Sequence, residues 1–514
     1  MHSFPPNTPP APVDGADAGR SKPPAASDDT RPADAADALC WLPAHELARR
    51  VAAREVSPVE VMQAMLRRAA QVDPHCRVFA HFDADRALEA AQQAEQAVMR
   101  GDRLGPLHGV PITVKDNISV AGVPLRHGSA AMDSAPAAAD AQAWQRLRDA
   151  GAVLLGKTTL PEFAHKVLTD SPIHGITRNP WRLDRTPGGS SGGAAAAVAA
   201  GLGPLALGTD GGGSIRVPAA CTGLVGLKPT LGRVPNESLP DTFGGHSHIG
   251  PLARDAVDAD LMLAVLAGPH PADALSLRSA AYAHDARALQ VLPRHLRIGW
   301  IAQVGHSPVD AEVAAACVAA LQALQHDGVA DVDLLDAGAL RSAYEDYALI
   351  SSAGMAARLQ GLRSGHASRL TPTLRAALDR VSRADALRLA QAVQQRTVLF
   401  RAVQAMLQEH DLLAMPTLTR PAVSVHEEGS VFEPLYQAWC PAMFPFNQTG
   451  HPAISIPCGF SAEGLPIGLQ LVGRWHDERL LLRLARLLQT VPSAPTRRPG
   501  LADGPAPTVA SPRS

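Results

Sequence analysis

Short apolar segments alternate with helical segments along nearly all of this 514-residue chain. Segments such as "GVPITVKDN" and "AVLLGKT" are typical of buried strands. In contrast, "SPVEVMQAMLRRAAQVD" has apolar residues at helical spacing, with Ser57 as N-cap, Pro58 at the first helical position and Glu60 completing a capping box. The alternation predicts an α/β fold, a single large domain with a central mixed, twisted β-sheet surrounded by helices.

The two ends of the chain differ in composition from its middle. Residues 1–38 are rich in Pro, Ala, Asp and Ser, and residues 493–514 have the same character. Such segments cannot bury enough apolar surface to offset the entropy of ordering, so we expect both to be disordered tails. The domain then spans residues 39–492. Within it, residues 337–410 have the pattern of several amphipathic helices, which we interpret as a pocket or lid region.

Charge and cysteine content restrict the classes of partner. The chain has 47 basic and 49 acidic residues, a formal net charge of -2, with no long run of one sign. This balance argues against a nucleic-acid or membrane-surface binder. Six cysteines without C-x-x-C pairing are typical of a reducing compartment, and no signal peptide or run of membrane-spanning length is apparent. We therefore expect a cytoplasmic protein without a bound metal.

The first candidate for chemistry is Lys115, at the end of the apolar segment "PITVK". Burying an ammonium group without a partner is costly and lowers its pKa. Taken alone, the favoured interpretation is a lysine that extends along a strand end to the surface. A buried, functional lysine is the alternative.

The second candidate is the segment "TPGGSSGGAAAAVAAG", residues 186–201. Two glycine pairs flank Ser190 and Ser191, and a helix follows directly, so a serine lies near a helix N-terminus with unpaired backbone N–H groups. Taken alone this is an N-cap after a turn. A phosphate cradle would require a G-x-x-x-x-G-K-[ST] or G-x-G-x-x-G sequence, and neither is present here.

The third candidate is "GTDGGGSIR", residues 208–216. Apolar sequence continues on its C-terminal side, which excludes a solvated linker. Consecutive glycines before a serine allow backbone N–H groups to converge, as in an oxyanion site. Equally, Asp210 and Arg216 could pin a tight turn. The segment taken alone leaves both interpretations open.

Histidine-based chemistry has weaker support. His246 and His248 form an H-x-H pair, but no H-E-x-x-H or cluster of acids accompanies them, so turn or surface histidines are expected. No G-x-S-x-G elbow occurs. If a serine is the nucleophile, its base is not expected to be histidine.

Together these segments resemble the amidase signature family of serine hydrolases. The resemblance rests on Lys115 in "GVPITVKDN", Ser190 in "PGGSSGGAAAAVAAG" and Ser214 in "GTDGGGSIRVPAACTGLVGLKPTLGRV". It extends to "GKTTLPEFA", "TRNPW" and "NQTGHPAISIPCGF", and covers about residues 41–490. One departure is Gly211, where many relatives carry Thr or Ile.

The resemblance implies a Ser-cisSer-Lys triad that needs no cofactor. Ser214 would be the nucleophile, Lys115 the base, and Ser190 the proton relay between them, with a cis peptide bond between Gly189 and Ser190. The glycines preceding Ser214 would form the oxyanion hole, namely Gly211, Gly212 and Gly213. The remaining residues would support the loop or contact substrate, namely Ser191, Asp210 and Arg216 as support and Gly188 and Gly189 as substrate-binding residues.

The implied activity is hydrolysis of a small-molecule carboxamide, anilide or carbamate through an acyl-serine. The alternative is the glutamine-amidase component of a tRNA-dependent amidotransferase, which works within a complex. Because aromatic residues make up only 4% of the chain, we expect an aliphatic rather than an aromatic-lined pocket. The oligomeric state is left open, a homodimer included.

Overall fold

The computed structural model describes most of the chain between the tails. The described ranges are 35–237, 245–279, 281–291, 295–340, 343–381, 385–427, 432–490 and 497–500. The predicted disordered tails thus lie almost entirely outside the described residues. One correction applies at the first boundary, because Ala35–Leu39 is helical where the sequence placed the end of the tail.

Thirteen strands occur in the described residues. In chain order, β1 to β13 are Phe79–His81, Pro111–Lys115, Val153–Thr158, Asp170–Ser171, Gly175–Ile176, Leu205–Asp210, Val225–Lys228, His248–Ala253, Leu296–Trp300, Ala330–Leu334, Leu412–Pro416, Ala453–Phe460 and Pro466–Gly473.

Sixteen α-helices accompany these strands in the same part of the chain. In chain order, α1 to α16 are Ala35–Leu39, Ala44–Ala52, Pro58–Cys76, Ala84–Arg100, Gln142–Asp149, Gly192–Ala199, Arg216–Thr222, Ala256–Leu266, Ala311–His326, Ala343–Arg358, Gln360–His366, Pro372–Val381, Ala386–Glu409, Phe432–Trp439, Phe444–Gln448 and Glu478–Thr490.

Eleven of the described strands form one mixed sheet, in the order β1-β3-β2-β6-β8-β7-β12-β13-β11-β9-β10. The strands β3, β2 and β6 run parallel, as do β11, β9 and β10, while the strands between these two groups pair antiparallel. The two short strands β4 and β5 pair separately. The single α/β domain with a central mixed sheet, predicted from the sequence, is confirmed.

The middle of the chain is helical, as its sequence pattern predicts. Helices α10 to α13 lie within residues 337–410, and α10 packs against α12, α13 and α15. Whether this region acts as a lid stays a prediction. Among the described helices, none combines the length and apolar character needed to cross a membrane.

Parallel pairing of β2 with β6 brings two sequence-predicted segments to one edge of the sheet. The register pairs Val114 with Leu207, so both strands end at the same side. Lys115 is the last residue of β2, and Asp210 is the last residue of β6. Side chains and ligands commonly meet outside the carboxyl ends of parallel strands, and the site begins there.

The predicted capping box at the start of α3 is present. The Ser57 hydroxyl accepts from the Val59 N–H at 2.9 Å, and the Glu60 carboxylate accepts from the Ser57 N–H at 2.8 Å. These bonds satisfy two backbone donors that the helix cannot pair internally.

Replacing this cap tests its contribution to stability. Ser57→Ala should lower the free energy of unfolding by about 1 kcal/mol, because an N-cap acceptor is lost. Ser57→Thr keeps the hydroxyl and should lower the free energy of unfolding by only a few tenths of a kcal/mol. Urea unfolding followed by circular dichroism measures both, and equal stability of the two variants would contradict the capping role.

Candidate active site

Lys115 is buried at the sheet edge and is surrounded by hydroxyl groups. Its Nζ lies 2.8 Å from Ser190 Oγ, 2.9 Å from Ser191 Oγ and 2.9 Å from Thr209 Oγ1. The surface interpretation favoured for this residue in isolation is therefore wrong, since the side chain has no exposed area. Strand β2, which ends at Lys115, pairs with β6 and packs against α6.

Burial sets the protonation of this amine. Desolvation lowers the pKa of Lys115 well below its ordinary value, and the more distant Asp210 carboxylate raises it only in part. Lys115 forms no ion pair with an acid of the described ranges, whereas the neighbouring Lys157 pairs with Asp116 at 3.1 Å. A neutral amine, which can accept a proton, is thus accessible at this position.

The two serines of the "GGSSGG" segment lie directly beside Lys115. The peptide bond between Gly189 and Ser190 is cis, as the resemblance implies. Ser191 is the N-cap residue of α6; its hydroxyl donates to the Thr209 carbonyl at 3.1 Å, so its oxygen is left to accept from Lys115. Gly188 and Gly189 are buried immediately before Ser190.

Ser214 reaches the same site from the loop between β6 and α7. Its carbonyl accepts from the Ser191 N–H at 3.1 Å, which fixes the two serine segments side by side. The residue is 8% exposed, in contrast to the fully buried Ser191. The structure thus brings together Lys115, Ser190 and Ser214.

A buried ion pair anchors this loop. Both nitrogens Nε and Nη2 of Arg216 donate to the Asp210 carboxylate at 3.0 Å, and neither side chain is exposed. Asn447 also donates to Asp210 at 2.8 Å. Burial alone would raise the pKa of Asp210, but the Arg216 charge and these hydrogen bonds outweigh it and hold the pKa well below its usual range.

Gly213 requires a correction to the predicted oxyanion hole. Its N–H donates to the Asp210 carboxylate at 2.6 Å, so this amide is engaged within the loop rather than available to substrate. The amides of Gly211, Gly212 and Ser214 have no acceptor among the described residues. These three remain candidates for binding an oxyanion.

The histidine pair is also not where the sequence predicted it. His246 and His248 are buried beside the loop, at 0% and 3% exposure, and not in a surface turn. His248 Nδ1 donates to the His246 carbonyl at 2.7 Å. Burial lowers the pKa of both imidazoles, which keeps them neutral. No group of three or more potential metal ligands occurs in the described part of the chain.

Aromatic residues cluster at the loop despite their rarity in the sequence. Of the four tyrosines in the chain, Tyr344, Tyr347 and Tyr436 pack together with Phe444, with ring centroids 5.1–6.0 Å apart. The Tyr436 hydroxyl donates to the Gly212 carbonyl. The expectation of a purely aliphatic surrounding is therefore wrong.

Sequence reasoning missed several residues of the site. Thr209, which contacts Lys115, stands inside the quoted "GTDGGGSIR" segment but was not singled out. Asn447 begins the "NQTG" motif of the resemblance. Tyr347 lies within residues 337–410, the predicted pocket or lid region, but nothing in the local sequence around Tyr436 indicates its place at the loop.

Comparison with known proteins agrees with this geometry. The Amidase family model matches residues 60–482. An acylamidase of Rhodococcus erythropolis is 35% identical over 485 residues, covering 88% of this chain and 96% of the relative. A glutamyl-tRNA(Gln) amidotransferase component of Chloroflexus aggregans is 37% identical over 476 residues, with the same two coverages of 88% and 96%.

Solved structures give the same result. The 6-aminohexanoate cyclic dimer hydrolase, in complex with substrate, superposes with a TM-score of 0.80 at 32% identity, covering 90% of this chain and 99% of that one. A bacterial aryl acylamidase has a TM-score of 0.81 at 29% identity, covering 88% and 96%. The chain belongs to the amidase signature family. It is a hydrolase that acts on carbon–nitrogen amide bonds.

The buried ion pair of the loop can be tested by removing one charge. Asp210→Asn should lower the free energy of unfolding by about 3–5 kcal/mol, because the buried Arg216 charge loses its counter-ion. Asp184→Asn is the matched control: Asp184 pairs with Arg182 at 2.8 Å, but both are partly exposed. That change should cost less than about 1 kcal/mol. Equal effects in urea unfolding would contradict the anchoring role of Asp210.

Proposed function

We propose that Ser214 attacks the amide carbonyl, that Lys115 is the base, and that Ser190 relays the proton between them. The observation that carries this proposal is the 2.8 Å contact from Lys115 Nζ to Ser190 Oγ, made by a lysine with no exposed area. A serine hydroxyl is a weak nucleophile near neutral pH and requires an adjacent base.

The hydroxyl groups around Lys115 divide into acceptors and a donor. A neutral amine has two N–H donors and one lone pair. Ser191 gives its proton to the Thr209 carbonyl, so it accepts from Lys115. Thr209 Oγ1 also takes a hydrogen bond from Asn117 Nδ2 at 3.0 Å. We assign the lone pair of Lys115 to the proton of Ser190, which leaves Ser190 Oγ free to accept from Ser214.

The reaction then proceeds in two stages, acylation of Ser214 and hydrolysis of the acyl-ester. Ser214 Oγ bonds to the carbonyl carbon while its proton passes to Ser190 and the Ser190 proton passes to Lys115. The tetrahedral intermediate collapses as the C–N bond breaks, and the departing amine takes the proton back through Ser190. Water then attacks the acyl-ester by the same relay, releasing the acid and restoring the Ser214 hydroxyl.

Backbone donors would stabilise the charge that develops on the carbonyl oxygen. We assign this role to the amides of Gly211, Gly212 and Ser214, since the Gly213 amide is held by Asp210. An oxyanion donor of this kind is worth roughly 3–4 kcal/mol of barrier. The substrate-binding role of Gly188 and Gly189 stays a prediction.

Neutral amides fit the surroundings of the loop better than glutamine does. A Cβ built on Gly212 or Gly213 would first meet uncharged side chains, namely Tyr347, Tyr436 and Met443. The charges of Asp210 and Arg216 are already matched to each other. We therefore favour small carboxamides, anilides or carbamates with an apolar or aromatic acyl group. The cytoplasmic location and the homodimer stay predictions from the sequence.

Ser214→Ala should abolish hydrolysis of an anilide and labelling by a fluorophosphonate, because the bond-forming oxygen is removed. The exposed Ser134→Ala is the control and should keep wild-type activity. Both variants should unfold at the wild-type urea concentration. Substantial activity in purified Ser214→Ala would contradict the assignment, and activity only with a partner chain and tRNA would favour the amidotransferase alternative.

The pH profile tests the base. Only neutral Lys115 accepts a proton, so kcat/KM should rise with pH as Lys115 loses its charge. The pKa of this rise should lie well below the ordinary lysine pKa of about 10.4. Lys115→Arg should be inactive at every pH, since a guanidinium is not deprotonated in proteins. Lys166→Met serves as a control at a lysine outside the site. Wild-type rates in Lys115→Arg would contradict the role of Lys115.

A further inference from the structure

The peptide unit between Gly212 and Gly213 is held at both of its polar ends. Its carbonyl oxygen, on Gly212, accepts from the Tyr436 hydroxyl. Its N–H, on Gly213, donates to the Asp210 carboxylate at 2.6 Å. The plane of this peptide is thus fixed by two side chains, one from α14 and one from β6.

This peptide needs external support because of its sequence. Three consecutive glycines have more backbone freedom than other residues and lose more entropy when ordered. Gly213 has φ +109°, and a Cβ there would lie 2.6 Å from Met443 Cγ, so a side chain is excluded. A Cβ on Gly212 would collide with the hydroxyl of Tyr347. The loop therefore cannot gain rigidity from larger residues at these positions.

Tyr436 is itself well fixed. It is 2% exposed, and its ring packs against Tyr344 at 5.8 Å, Tyr347 at 6.0 Å and Phe444 at 5.7 Å between centroids. Burial raises the pKa of the Tyr436 phenol well above its ordinary value, so it remains a hydrogen-bond donor across the range in which the enzyme would work.

The peptide that Tyr436 holds lies between the candidate oxyanion donors. The Gly212 amide precedes it and the Ser214 amide follows it, so a displacement of this peptide would shift the backbone that carries both N–H groups. Oxyanion donors stabilise a transition state only if they point at the oxygen before charge develops. A misplacement of about 1 Å can cost about a hundredfold in rate.

We propose that Tyr436 is a positioning residue for the oxyanion site, holding the Gly212–Gly213 peptide against Asp210 so that the flanking amides face the reacting carbonyl. The proposal rests on the proposed function of Ser214. It assigns Tyr436 an effect on the transition state and not on the affinity for the uncharged substrate.

Tyr436→Phe tests this role because it removes only the hydroxyl. We expect kcat for an anilide to fall about 10- to 100-fold, with KM within about twofold of wild type. Affinity for a trifluoromethyl ketone, which forms an oxyanion on Ser214, should fall by the same factor as kcat/KM. Tyr344→Phe, a hydroxyl removal in the same ring cluster, should leave all three quantities within about twofold.

Failure of this proposal is distinguishable from failure of the proposed function. If wild-type Ser214 is labelled by a fluorophosphonate and Tyr436→Phe matches Tyr344→Phe in kcat and ketone affinity, the positioning role is overturned. If KM alone rises, it is overturned as well. If wild-type Ser214 is neither labelled nor required, the proposed function fails, and this proposal with it.

A second variant covers the case in which Tyr436→Phe does not fold. Position 436 can carry 3,5-difluorotyrosine, which keeps the ring and the hydroxyl but is more acidic. Activity should fall at the pH at which ultraviolet absorbance shows that the difluorophenol ionises, because the phenol then loses the proton that it donates to Gly212. Wild-type activity with the difluorophenol ionised would overturn the proposal.

Discussion

The guanidinium group of Arg216 is buried, and all three of its nitrogens donate hydrogen bonds. It donates to Asp210 on β6, to Gln470 on β13 at 2.9 Å and to the Met443 carbonyl at 3.2 Å. One residue thus ties the loop that carries Ser214 to the end of β6, to the distant strand β13 and to the segment before α15. A buried charge without this set of acceptors would be strongly destabilising, so the sheet and the loop constrain each other.

A second constraint is the burial of Lys115. Its amine contacts hydroxyl groups and no carboxylate, so burial lowers its pKa and the more distant Asp210 carboxylate offsets this only in part. In the proposed mechanism the two conditions are complementary, because the charged pair of Asp210 and Arg216 holds the loop while the uncharged group of Lys115, Ser190 and Ser191 would transfer the proton. A carboxylate placed against Lys115 would raise the pKa of its amine and keep it charged, so that it could not accept a proton.

The sequence predicts the fold and the contact partners of Lys115 better than the wider surroundings of the site. The apolar segments of β2 and β3 are recognisable as buried strands, whereas the short strand β7, which carries a buried lysine at its end, is not. Lys115 looked like a surface residue until it was considered with the serine motifs, because its burial depends on β6 and α6, which lie about 80–95 residues later. Tyr436 shows the limit most clearly, because its position at the loop depends on a contact across 224 residues that no local pattern encodes. The Gly213 hydrogen bond is local, spanning three residues, but the segment alone left open whether its amides face the Asp210 carboxylate or a substrate.

The central claim is that the acyl group of the substrate is transferred to Ser214 and to no other hydroxyl of the site. Incubation with an aryl carbamate should leave a carbamoyl group that hydrolyses slowly enough for peptide mapping by mass spectrometry. The account predicts a single added carbamoyl mass on the peptide containing Ser214, formed faster as pH rises. A carbamoyl group on Ser190, Ser191 or a cysteine, or release of the phenol without any covalent adduct in rapidly quenched samples, would contradict it.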